Sequence, residues 1–275
     1  MITLVHASDI HFGRLHDAEA MTAFMAFLEG ADPDLLVISG DLTQRAKSGE
    51  YEAAREFLQG LAPLPVVVTP GNHDVPLYRV FERILKPLSN YQSFISRDLD
   101  TVTEIPGATV VALNSTSPRR AIVNGRLGSA QLRFAAEAFG RAPEDHFRIL
   151  VTHHNLLRAP DYEPEQILPG HGRFLTAFSR MDVGLILGGH LHRSYVGSSL
   201  DSFAQPPGTP AMIIAHAGTT TSRRGRGRER GRNSLNLIHI SPGEVAIIPH
   251  ILLREEGRFH PAQTHTFPRQ GKRAT

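Results

Sequence analysis

The stretch Ile2-Thr3-Leu4-Val5-His6-Ala7-Ser8-Asp9-Ile10-His11 decides the fold. An apolar, β-branched run stops abruptly at polar residues, which predicts a buried strand with chemistry-bearing side chains at its carboxyl end. The pattern recurs: strands are expected at Leu35–Ser39, Val66–Thr69, Thr109–Leu113, Ile149–Thr152, Leu185–Leu187 and Met212–Ala215. Between several of them apolar residues fall at helical spacing: Met21, Phe24, Met25 and Leu28, then Tyr51, Ala54, Leu58 and Leu61. A third helix is expected from a Ser129 N-cap through Leu132, Ala135, Ala136 and Phe139. Strand and helix alternate, so layered sheets with helices outside are predicted. Near the carboxyl end, Leu235–Ile240 and Val245–Leu253 are separated only by Ser241-Pro242-Gly243-Glu244, a turn composition that predicts a hairpin. Ser115–Gly128, Asn155–Arg173 and Thr219–Arg232 read as surface loops.

Composition bounds the chemistry. The 275 residues are 41% hydrophobic and 20% charged, with 29 basic against 27 acidic side chains, which excludes disorder and fibre and says little about partners. One large domain is expected over residues 1–253, followed by a tail at 254–275. There is no cysteine, so disulfides, thiolate metal sites and cysteine nucleophiles are excluded. Any metal must be held by His, Asp, Glu or Asn. No apolar run reaches the length of a membrane span, and the first residues lack the features of a signal peptide, so a cytoplasmic location is expected.

The polar residues at the strand ends are the informative ones. Asp9 and His11 follow the first strand, Gly40-Asp41 the second, Gly71-Asn72-His73-Asp74 the third, His153-His154 the fifth, and Gly188-Gly189-His190-Leu191-His192 the sixth. At the carboxyl edge of an α/β sheet such loops converge. Imidazoles, carboxylates and an amide oxygen suit two divalent cations, with Asp41 the natural bridge. Two such ions outweigh two carboxylates in charge, so the site should attract an anion, and a phosphate ester fits. Each block alone has an ordinary reading: a strand-ending Asp caps helices, Gly-Asp makes turns, and a lone His is a hydrogen-bonded core residue. Five blocks in order are another matter.

The ordered blocks D-x-H, G-D, G-N-H-D, a strand-ending His and G-H-x-H resemble the calcineurin-like metallophosphoesterase superfamily, and the surrounding words are most similar to its bacterial cyclic-nucleotide and glycerophosphodiester phosphodiesterases. The resemblance implies an α/β fold, a four-layer α-β-β-α sandwich of two mixed sheets with flanking helices and a dimetal site at the strand carboxyl-end edge. It also implies that Asp9, His11, Asp41 and His192 hold one ion and Asp41, Asn72, His153 and His190 the other. Asn72, His73 and His154 would touch substrate. A hydroxide bridging the ions would attack phosphorus in line, with His73 assisting the departing oxygen. The expected activity is hydrolysis of a small diester, a cyclic nucleotide such as cAMP first and a glycerophosphodiester second. A nuclease acting on DNA or RNA, a phosphomonoesterase and a non-catalytic scaffold are the rivals. Manganese, iron, zinc, cobalt and nickel all suit the donors.

Two departures from the family pattern stand out. Gln44 occupies a position where many members carry an Asp that orients the catalytic His, and His154-Asn155 replaces the usual His-Pro, which keeps His154 open as an alternative ligand to His153. Outside the blocks, Thr219–Arg232 holds six Arg, three Gly and one Glu. It reads as a solvated loop first and as an electrostatic collar for nucleotides or nucleic acid second, and it lacks the aromatics of a base-stacking surface. His6 and His216 read as buried structural residues. Val245–Leu253 is apolar enough for a homo-oligomer contact, although burial within one subunit is the more ordinary explanation.

Overall fold

A computed structural model describes residues 1–119, 123–157, 167–201, 211–225 and 229–269. The elements run β1 (Ile2–Ala7), α1 (Ala18–Ala31), β2 (Leu35–Ile38), α2 (Ser48–Gly60), β3 (Val66–Val68), α3 (Val80–Leu85), α4 (Ser89–Phe94), β4 (Thr101–Ile105) and β5 (Ala108–Leu113). They continue α5 (Ser129–Arg141), β6 (Phe147–Thr152), α6 (His171–Arg180), β7 (Val183–Gly188), β8 (Tyr195–Ser198), β9 (Ile213–His216), β10 (Ser234–Ile240), β11 (Glu244–Leu253), β12 (Arg258–Pro261) and β13 (His265–Pro268).

Two mixed sheets result. One has the order β12-β11-β10-β1-β2-β3, with β13 pairing β11 beside β12, and the other has the order β4-β5-β6-β7-β9-β8. Strands β1, β2 and β3 are mutually parallel, as are β5, β6, β7 and β9, so the two groups each present a carboxyl edge.

Strand alternation makes the layers. In β1 and β2, Leu4, Leu35 and Val37 face the second sheet, where they meet Val110, Ile149, Val151, Leu185 and Leu187 in a buried seam. Their neighbours Val5, Ala7, Leu36 and Ile38 face outward onto Phe24, Leu28, Tyr51 and Ala54 of α1 and α2. On the far side, Val111, Leu150, Ile186 and Ile214 pack under Phe139 of α5 and Phe174 and Phe178 of α6. The order is helix, sheet, sheet, helix, as expected, and central strands such as β2 and β7 are apolar on both faces because each sheet is covered twice.

Several local features differ from the sequence reading. Ser129 is the first residue of α5 and Gly128 its cap, whose amide donates to Gln131 Oε1 at 3.0 Å. Helix α6 starts at His171, inside the stretch read as a loop. Residues 254–269, read as a tail, supply β12 and β13, which cover the free edge of β11. Val245–Leu253 is thus paired along that edge within the chain. The first part of the Arg-rich stretch is not solvated either: Thr219, Thr220, Thr221 and Ser222 are buried.

Candidate metal centre

The strand ends of both sheets meet. Asp9 and His11 follow β1, Asp41 follows β2, Asn72 and His73 lie in a short 3-10 turn after β3, His153 follows β6, and His190 and His192 follow β7. Of the eight non-glycine residues with positive φ among the described residues, five are Asp9, His11, Asp41, His190 and His192. The left-handed backbone is unfavourable for these side chains, and such strain collects where packing forces a side chain into a functional site.

Glycines make room for this. Gly40 has φ +101 and packs on the His153 ring. Gly71 and Gly189 allow close approach: a Cβ on Gly71 would strike Asp41, and one on Gly189 would strike Ser8 Oγ and Asp9.

Each carboxylate has one anchored oxygen and one bare oxygen. Asp9 Oδ2 accepts from Ser8 Oγ at 2.7 Å and from the His190 amide at 3.0 Å. Asp41 Oδ1 accepts from the His73 amide at 2.7 Å. Their other oxygens, Asp9 Oδ1 and Asp41 Oδ2, are buried without a hydrogen bond, as are His11 Nε2 and His190 Nε2. The imidazoles are oriented from behind. His11 Nδ1 donates to the Thr43 carbonyl at 3.2 Å and His153 Nδ1 to the Ser39 carbonyl at 2.8 Å, which leaves both Nε2 lone pairs aimed inward.

The inward atoms form two groups. Asp9, His11, Asp41 and His192 bring one ligand atom each within 4.8 Å of one another, and His153, His154 and His190 do the same. Asn72 Oδ1 joins the second group, 3.1 Å from His153 Nε2 and 2.9 Å from His190 Nδ1. Asp41 Oδ2 stands between them, 3.7 Å from His11 Nε2 and 3.5 Å from His153 Nε2. Lone pairs converging on one another in a dry interior are unfavourable unless a cation stands among them.

The electrostatics agree. Burial, together with the nearby Asp9 and Asp74, pushes the Asp41 carboxyl well above the usual carboxylate range. Burial works to raise Asp9 as well, but the nearby His192, His11 and His153 outweigh it and hold that carboxyl well below its ordinary value. Burial keeps His153 and His190 neutral, the form in which imidazole binds a metal. Donor set, orphaned atoms and neutral imidazoles together fit two divalent ions.

All the residues singled out from the sequence therefore come together. His154 is fully buried, with Nδ1 2.8 Å from Ser115 Oγ and its ring centroid 4.9 Å from that of His190. His73 stands edge-on to His11, with ring centroids 4.9 Å apart. The Gln44 departure resolves differently from expectation: His73 Nδ1 donates to the main-chain carbonyl of Gln44 at 3.0 Å, and the Gln44 side chain accepts from the Leu15 amide at 3.3 Å.

The sequence reading missed three supporting groups. Ser8 anchors Asp9. Asp74 accepts from the amides of Gly71 at 2.9 Å, Leu42 at 3.2 Å and Thr43 at 2.9 Å, tying the second and third blocks together. Its place inside Gly71-Asn72-His73-Asp74 was the available signal. Arg224 lies with Nη1 2.9 Å from His73 Nε2, and nothing local distinguishes it from the other arginines of its loop.

Comparison with known proteins agrees with this geometry. The model of the calcineurin-like phosphoesterase family matches residues 2–194. The chain is 26% identical over 266 residues to a cAMP/cGMP dual specificity phosphodiesterase of Mycobacterium tuberculosis, covering 90% of this chain and 79% of that one. It is 26% identical over 206 residues to the 3',5'-cyclic adenosine monophosphate phosphodiesterase CpdA of Escherichia coli, covering 70% of each. Among solved structures, the purple acid phosphatase PPD1 of yellow lupin superposes with a TM-score of 0.71 at 12% identity, over 96% of this chain and 53% of that one. The chain thus spans about half the length of the lupin protein.

Proposed function

The chain belongs to the calcineurin-like phosphoesterase family and is a metal-dependent phosphoric ester hydrolase, and from that premise we propose that it is a phosphodiesterase of small diesters, a 3',5'-cyclic nucleotide before a glycerophosphodiester. The observation that carries the reading is the position of Asp41 Oδ2 between the two ligand groups, 3.7 Å from His11 Nε2 and 3.5 Å from His153 Nε2, with His73 bonded to the other oxygen of the same carboxylate. The relatives named as cyclic nucleotide phosphodiesterases support the choice of substrate.

In this proposal Asp9, His11, Asp41 and His192 hold one divalent ion, and Asp41, Asn72, His153 and His190 hold the other. Ions bound there would supply a nucleophile at neutral pH and offset the charge on the phosphoryl oxygens. The protein's part is to fix the donors: Ser8 and the His190 amide hold Asp9, the His73 amide holds Asp41, and the Ser39 and Thr43 carbonyls set the two imidazoles. His73, held through Nδ1 by the Gln44 carbonyl, keeps Nε2 on the substrate side, where it would first take up the proton given up by the added water and then pass it to the departing oxygen. In the net reaction a water adds across one ester bond: a new P–O bond forms, the bond to the departing oxygen breaks, and that oxygen gains a proton.

A hydrolysis panel on metal-reconstituted protein tests the reading, comparing cAMP, cGMP, glycerophosphocholine, single-stranded DNA and p-nitrophenyl phosphate. The highest kcat/KM is expected on a cyclic nucleotide. A preference for DNA or for the monoester would overturn it.

A further inference from the structure

The Arg-rich stretch after β9 begins as a strap on the metal-ligand loop. Thr219 Oγ1 donates to the Asp9 carbonyl at 2.9 Å, and Thr221 Oγ1 donates to the Ile10 carbonyl at 3.1 Å. Ser8 and Thr220 exchange two more bonds: the Thr220 amide donates to the Ser8 carbonyl at 2.9 Å and the Ser8 amide to Thr220 Oγ1 at 3.1 Å. The amides of Asp17 and Arg223 continue the seam onto Thr221 and Leu15, at 2.8 and 3.0 Å. Arg224 is the next residue, and immediately beyond it Gly225 packs so closely on the carbonyl of Glu229 that no side chain would fit. The backbone that carries Arg224 is therefore fixed on both sides.

The arginines of this stretch diverge. Arg223 points away, with Nε 3.5 Å from Asp17, and is mostly exposed, while Arg226 and Arg228 lie outside the described residues. Arg224 turns inward, with Nη1 2.9 Å from Nε2 and 3.2 Å from Nδ1 of His73. A carbonyl can only accept, so the Gln44 contact puts the His73 proton on Nδ1 and leaves Nε2 as the acceptor facing the guanidinium. An ionised phosphoryl oxygen is a strong, charge-assisted partner for a guanidinium, which can bind it with two donors.

Resting on the phosphodiesterase reading above, we propose that Arg224 is a substrate-binding residue, whose guanidinium moves from the His73 ring to a non-bridging phosphoryl oxygen of the bound diester. Its departure uncovers the Nε2 lone pair of His73, so one side chain both holds the anion and opens the histidine to the substrate side. This gives part of the basic stretch a defined task at the site, in place of a solvated loop or a diffuse collar.

The test uses the full chain reconstituted with metal, as wild type, Arg224→Gln and Arg224→Lys. Metal content per chain, the calorimetric Kd for inorganic phosphate, and KM and kcat on the diester that wild type hydrolyses best are measured. Losing one charge-assisted hydrogen bond should raise the phosphate Kd and KM of Arg224→Gln by about tenfold or more, with kcat changed by less than about threefold and metal content unchanged. Arg224→Lys should recover part of both. If wild type hydrolyses diesters and Arg224→Gln binds phosphate as wild type does, this inference fails and the proposed function stands. Loss of metal from Arg224→Gln overturns it as well, since the residue would then be structural. Wild type that retains metal but hydrolyses no diester refutes the function itself and the inference with it.

Discussion

His73 donates its Nδ1 proton to the main-chain carbonyl of Gln44, 3.0 Å away, and takes nothing from the Gln44 side chain. The uncharged side chain that departs from the family pattern is thus not what orients the histidine. Gln44→Ala should leave kcat/KM and the pH profile within about threefold of wild type, because the carbonyl remains. Steady-state kinetics across pH check this. A loss on the order of a hundredfold would return the orienting role to the side chain.

Asp41 Oδ2 faces both ligand groups, so its charge should serve both ions. Asp41→Asn, which keeps the shape, is expected to lose both metals and activity together. His192→Ala should chiefly empty the first position and His190→Ala the second. Metal stoichiometry by mass spectrometry for each variant tests the division, and two metals retained in Asp41→Asn would refute the bridge.

Ser8 touches no proposed ion but holds Asp9 at 2.7 Å. Removing such an outer partner typically weakens metal binding by about 10–100-fold, so Ser8→Ala should bind metal in that measure more weakly while folding normally. Competitive chelator titration with circular dichroism on the same sample reads both quantities. Unaltered affinity would show that Asp9 is held without it.

Gly189→Ala should shift the same carboxylate by crowding, since its Cβ would strike Ser8 Oγ and Asp9. A cost of about 1–3 kcal/mol in stability is expected from overpacking, together with weaker metal binding. Gly243→Ala is the control, because nothing lies within 4 Å of a Cβ there. Urea unfolding of the two variants side by side decides, and equal stability would mean that the ligand loop yields freely.

His6 predicts the acid limit. It is buried with Nδ1 3.3 Å from Asn236 Nδ2 and Nε2 3.0 Å from Ser39 Oγ, an arrangement that needs the neutral ring, and burial, with His216 nearby, lowers its pKa to about 3. The unfolded chain takes up this proton near pH 6.5 and the folded chain does not, so the contribution is complete above that pH and is lost as pH falls toward 3. Over that window the group should remove about 1.4 kcal/mol of stability per pH unit. Urea unfolding of the metal-free protein at several pH values gives the slope. His6→Gln should reduce the slope by one proton, and an unchanged slope would place the proton uptake elsewhere.

By itself the sequence determined the strands and what they carry. A buried strand in a doubly covered sheet must be apolar for most of its length, so Ile2–Ala7, Val66–Val68 and Phe147–Thr152 declare themselves, and the clusters of polar residues that end such runs fall at the sheet edge. That local rule reached every residue of the candidate site except its supports. It did not reach β12 and β13, short edge strands with polar side chains and terminal prolines, whose place depends on the free edge of β11. Only the tertiary structure decided which oxygen of Asp41 turns inward, that Gly71 and Gly189 serve close approach, that a main-chain carbonyl orients His73, and that Arg224 reaches it across 151 residues of chain. The physical reason is one of range: burial and backbone preference act between neighbours in sequence, whereas the pairing of lone pairs, protons and charges is set by packing between residues that meet only when both sheets have closed.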